Sequence, residues 1–152
     1  MTALWPTILP LDAIAVGGNA RPMDVLETRA LVGMDPVKAA WESARISTEC
    51  WTWWEDFTPG AIFGAIEPSI LGHRATIWMM TTPLVDQHRM KFLRHSRKIM
   101  GDFRARYGEL ETEVDARHTA CLRWLEWLGF NIPPARVYGA ARVPFHHVHI
   151  GA

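Results

Sequence analysis

The chain has 152 residues, 49% of them hydrophobic and 21% charged, with sixteen Lys and Arg balancing sixteen Asp and Glu. That length suits one domain with its own core, and the composition excludes a disordered tail, a collagen-like rod and a cysteine framework. Zero net charge argues against a non-specific nucleic-acid binder, while eight Trp imply an aromatic-rich core, a wide interface, or both.

Residues 7–16 read as a short strand closed by Gly17-Gly18-Asn19. From Pro22 the pattern turns helical, with Met23, Leu26 and Ala30 on one stripe and Gly33 at its end. Asp35-Pro36 joins an N-cap residue to a proline at the first helical position and opens a second helix to about Ile46. Three strands follow at 49–55, 61–66 and 75–81, the middle one a near-continuous apolar run typical of a buried strand. The longest helix spans about 86–107, with Met90, Leu93, Met100, Phe103 and Tyr107 as its apolar stripe and Gly108 as its C-cap. Then come an acidic strand at 110–115, a helix at about 117–128, a strand opened by Phe130-Asn131-Ile132 and a last strand at 143–150. The order is β-α-α-β-β-β-α-β-α-β-β, one α/β domain over residues 1–152.

Cys50 and Cys121 suggest neither a bridge nor a metal site, so a reducing environment is expected. Residues 1–10 lack the basic start of a signal peptide, and no stretch approaches eighteen apolar residues, so a soluble chain is expected.

The element order, with a helix closing in Trp127-Leu128-Gly129-Phe130, resembles the GCN5-related N-acetyltransferase (GNAT) fold. The resemblance implies a mixed, twisted sheet with helices on both faces and acyl-CoA held where two strands splay apart. A narrower resemblance runs through Ile62-Phe63-Gly64, Leu71-Gly72, His88-Arg89 to Arg94, Asp115-Ala116-Arg117, Tyr138-Gly139 and Pro144-Phe145-His146. These stretches are similar to a family of small proteins of short-tailed bacteriophages, acetyltransferase-like or associated with the virion. That resemblance implies virion, assembly or host proteins as partners, and the virion or host cytoplasm as location.

In the GNAT family the pyrophosphate meets a Gln/Arg-x-x-Gly-x-Gly/Ala turn at a helix start. The matching stretch is Gln87-His88-Arg89-Met90-Lys91-Phe92, whose large Met90 and Phe92 are expected to crowd the phosphates, although Arg89, Lys91 and Arg94 attract them. The tyrosine that protonates the leaving thiolate in the family falls at Leu125, which has no proton to give; Cys121 or a water is the substitute. Glu67, Glu113 and Asp115 are the candidate general bases. The leading expectation is therefore a virion or assembly protein on a degenerate acyl-CoA scaffold. The alternative is a divergent N-acyltransferase using acetyl-CoA on a host or phage amine, with the acyl chain between 75–81 and 111–115.

The helix at 86–107 is basic, but a solvated face balanced by Glu109, Glu111 and Glu113 is the simpler reading, and nucleic-acid binding is not expected. Trp51, Trp53, Trp54, Trp124 and Trp127 are candidates for an interface, self-association included. His146, His147 and His149 lack companions at a metal-site spacing, so no metal is expected.

Overall fold

The computed structural model describes residues 1–151. The strands are β1 (Thr2–Pro6), β2 (Glu49–Glu55), β3 (Thr58–Ile66), β4 (Arg74–Thr81), β5 (Glu109–Asp115), β6 (Arg136–Tyr138) and β7 (Val143–Ile150). The helices are α1 (Leu11–Gly17), α2 (Pro22–Val32), α3 (Pro36–Ile46), α4 (Leu84–Gln87), α5 (Arg89–Tyr107) and α6 (Thr119–Trp127). All seven strands form one sheet in the order β1-β2-β3-β4-β5-β7-β6. Only β4 and β5 run parallel, joined by the α4–α5 crossover that a parallel pair requires.

Strand alternation sends apolar side chains to both faces, and helices cover each. Trp53, Phe63, Ile77, Leu110 and Val148 meet Phe92, Ile99 and Phe103 of α5 and Leu125 of α6. On the other face Ile62 and Met80 pack with Ala13 and Val16 of α1 and Ala39 and Ala40 of α3.

Local signals placed several boundaries. Asp35 accepts a hydrogen bond from the Lys38 N–H at 3.1 Å, with Pro36 opening α3. After α6, the Phe130 N–H reaches the Leu125 carbonyl at 3.0 Å and the Gly129 N–H reaches Glu126 at 3.0 Å. These paired bonds, with Gly129 at φ +99°, form a Schellman cap in which buried Phe130 covers buried Leu125. The Leu-Gly-Phe signature is thus a helix stop.

The structure corrects other expectations. Residues 7–16 are not a strand: residues 11–17 form α1, and the sheet's first strand lies earlier, at β1. A short apolar run suits either state. Here Asp12 decides, its buried carboxylate accepting from the Ile8 N–H at 2.9 Å and the Thr52 hydroxyl at 2.8 Å. The long helix breaks at His88, which leaves helical dihedrals at φ −124° and ψ 43°. Its buried stripe is Phe92, Ser96, Ile99, Met100 and Phe103, while Met90 points outward at 67% exposure. Around 130–132 only a single bridge forms, Asn131 to His149, and the strand on the outer side of β7, opposite β5, is β6.

Candidate active site at the splayed strands

β4 and β5 share ladder pairs only at their beginnings, Arg74 with Glu109, Ala75 with Leu110 and Thr76 with Glu111. Beyond them the strands separate, leaving backbone groups that need other partners. α2 supplies two. Asp24 accepts from the Thr81 N–H of β4 at 3.0 Å and from the Thr81 hydroxyl, and Glu27, one helical turn on, accepts from the Asp115 N–H of β5 at 3.0 Å. His118 lies between these carboxylates, Nδ1 3.1 Å from Glu27 Oε2 and Nε2 3.7 Å from Asp24 Oδ1. These carboxylate bonds set the orientation of α2. Ala30 of the expected stripe is buried at 2% exposure and Met23 is half-buried, but Leu26 is 41% exposed and Asp24, at 6%, takes the inward position.

A groove of about 390 Å³ opens at the wide end of the gap, bordered by Arg21, Arg89 and Arg123 and floored by Met79, Phe92 and Trp124. The start of α5 lies here, and the N–H groups of a helix's first turn have no partner within the helix. Phe92 does not block the groove, because it turns inward. Its ring stacks on Phe63 at 5.9 Å between centroids and meets Trp53 edge-on at 5.8 Å. Arg21 donates to Asp86 at 3.2 Å, yet its buried Nε has no hydrogen-bond partner and lies 3.6 Å from Asp24. An orphaned cationic N–H beside a helix start is suited to a phosphate oxygen.

The expected phosphate-binding residues divide. Arg89 borders the groove, Gln87 ends α4 and His88 forms the break. Lys91 is turned to Glu55 of β2 at 2.7 Å, holding that carboxyl at about 2 together with a hydrogen bond from Thr2. Arg94 is exposed on the next turn. Arg21 and Arg123 were not singled out in the sequence, since they come from α2's start and α6.

The candidate bases divide as well. Glu67 is exposed beyond β3, its N–H donating to Thr48 at 3.0 Å, away from the gap. Asp115 is 0% exposed. Against its desolvation, the bidentate Arg117 guanidinium at 2.7 and 2.9 Å holds its carboxyl below the usual range. Glu113 faces the gap, but Arg136 grips both its oxygens at 2.8 and 3.0 Å and His147 Nδ1 sits 2.7 Å away. Those bonds outweigh burial and lower its pKa.

Leu125, at the position of the family's tyrosine, is 1% exposed within the core. Cys121 borders the groove instead, and burial pushes its thiol well above the ordinary range, so it holds its proton at neutral pH. Trp78 lies outside that groove and borders two further hollows beside the gap; its indole donates to Ser47 Oγ at 2.8 Å. It crosses bare backbone at Gly64, where a Cβ would stand 2.0 Å from Nε1.

Among the interface candidates, Trp53 is 0% exposed and belongs to the core. Trp51 and Trp54 are half-buried, the former donating to Glu49 at 2.8 Å. Trp124 is half-buried and donates to Ser96 at 3.2 Å, whereas Trp127 is 52% exposed beneath the Arg97 guanidinium. The basic face of α5 is balanced by Glu55 and Glu49 of β2 through Lys91 and Arg106, not by the acidic strand β5 as expected. On β5, Glu109 meets His73 and Glu111 meets His147. His147 therefore has carboxylate neighbours that spacing concealed, though no group of three metal-ligating side chains assembles among the described residues.

Solved structures match over nearly the whole chain. An acetyltransferase of the GNAT family from Streptococcus pneumoniae superposes with a TM-score of 0.65 at 10% identity, covering 100% of both chains. The chain has the GNAT fold. The aminoglycoside N(6')-acetyltransferase of Legionella pneumophila gives 0.73 at 9% identity, covering 99% of this chain and 91% of that one. A GNAT-superfamily phosphinothricin acetyltransferase from Sinorhizobium meliloti, in complex with acetyl-CoA, gives 0.69 at 9%, covering 99% and 88%. No family model and no curated protein matches the sequence. No helix among the described residues is long and apolar enough to cross a membrane.

Proposed function

We propose that this GNAT-fold chain is an acyl-CoA-dependent N-acyltransferase. The observation that carries the reading is the gap between β4 and β5, open at a helix start bordered by Arg21, Arg89 and Arg123, where Arg21 Nε has no hydrogen-bond partner. Arg21, Arg89, Arg123 and the first turn of α5 would hold the pyrophosphate, and Met79 and Trp124 would flank the acyl arm. Acetyl-CoA, when bound, supplies the electrophilic thioester carbon. Cys121, protonated at neutral pH, lines both the groove and the gap and would lie beside the departing sulfur. The acetyl-CoA complex of the phosphinothricin acetyltransferase supports the choice of cofactor.

The particle-assembly reading draws less support, because it leaned on Met90 and Phe92 filling the turn and on the tryptophans. Met90 faces solvent, Phe92 forms the groove's floor and Trp53 lies inside the core.

Calorimetric titration with acetyl-CoA tests the proposal. The expected result is a dissociation constant of about 10 μM or tighter, weakened about tenfold in the Arg21→Met, Arg89→Met double variant. No binding at about millimolar acetyl-CoA by folded protein would overturn it.

A further inference from the structure

Two hollows meet beside the gap. One is the narrow space between the splayed strands, reaching His118 and Cys121. The other, of about 490 Å³, lies among α2, α3 and the turn after β6, within the size range of small-molecule sites. Only Glu27 and Glu113 border both with an ionisable side chain among the described residues. They are not equivalent. Arg136 and His147 occupy both oxygens of Glu113, whereas Glu27 commits Oε2 to the Asp115 N–H and His118, and its Oε1 makes no hydrogen bond or ion pair among the described residues. The larger cavity is otherwise walled mainly by apolar and aromatic side chains, among them Leu31, Trp78, Met80 and Tyr138.

We propose that this cavity takes a primary amine borne on an apolar or aromatic body, and that Glu27 receives its ammonium group and removes the proton. The proposal rests on acyl transfer at the adjoining gap and names the class of acceptor. An unpaired carboxylate oxygen in a mostly apolar chamber attracts an ammonium, and the low local dielectric strengthens that attraction. Glu27 takes one N–H proton, and the electron pair stays on nitrogen. Nitrogen then bonds to the thioester carbon, the C–S bond breaks with its pair on sulfur, and the second N–H proton passes to that sulfur. Glu27 returns its proton to solvent. The Asp115 N–H and His118 fix the carboxylate in place while Oε1 works.

Phenethylammonium is the probe, followed by tryptophan emission, with phenethyl alcohol as the uncharged match. The alcohol should bind about tenfold more weakly, the scale of one hydrogen bond to a charged group. Glu27→Gln keeps an acceptor for the Asp115 N–H and should unfold within about 1 kcal/mol of wild type, but should lose about tenfold in phenethylammonium affinity with acetyl-CoA affinity within about twofold. Acetylation of phenethylamine should fall by about a hundredfold or more in the same variant, as expected on losing a general base. No binding of phenethylammonium, equal binding of the alcohol, or an undiminished Glu27→Gln variant would each overturn the proposal. The ammonium–alcohol comparison needs no variant. Failure of the wild-type chain to bind acetyl-CoA would instead overturn the acyltransferase reading alone.

Discussion

The two halves of the β4–β5 pair are held by different physics. At Arg74–Thr76 and Glu109–Glu111 backbone pairs with backbone, over a core containing wholly buried Ala75 and Leu110. At the far ends of the same strands they are held apart, and side chains of α2 stand where ladder partners would be, Asp24 on Thr81 and Glu27 on Asp115. One half is stabilised by non-directional burial and the other by a few directed bonds. An opening made in this way is firm without being closed, which is what a binding gap requires.

The largest expected effect lies in the paired half. Leu110→Ala should cost about 2–5 kcal/mol in urea unfolding, since a wholly buried leucine leaves a cavity. Asp24→Ala should cost less, about 1–3 kcal/mol, from the unsatisfied Thr81 groups. Its mark should be local, with faster amide exchange at Thr81 and protected amides at Ala75 and Leu110. If Asp24→Ala instead lowered protection evenly along both strands, the distinction between the halves would fail.

The smallest effect is electrostatic. Glu113 has a pKa below its ordinary 4.5, so its pair with Arg136 contributes stability above that value and loses it as pH falls through the lower folded value. Arg136→Gln should remove less than about 1 kcal/mol at neutral pH, because the guanidinium is half exposed. The difference from wild type should vanish in acid. An Arg136→Gln deficit that persisted unchanged below the Glu113 titration would show that packing, not charge, is lost.

Features written in neighbouring residues were legible in the sequence. Asp35-Pro36 capped α3, and Leu128-Gly129 stopped α6, because caps depend on residues three or four apart. Strand β6 was not legible, since three exposed residues acquire their form only by pairing with β7. Nor was the clamp at the gap. Asp24 and Glu27 look like the solvated face of a helix, and their partners lie 57 and 88 residues away. Their three-residue spacing was the one available signal, because it puts two carboxylates on the same side of α2. The expected crowding by Met90 and Phe92 failed for a related reason, since a motif gives side-chain size but not direction.

Gly64 sits on β3, outside the lining of the large cavity, yet the missing methyl there leaves room for the Trp78 indole. The breadth of that chamber is therefore governed remotely. One carbon atom added on a neighbouring strand would evict the indole and retune which guests are admitted, with every residue they touch left unaltered.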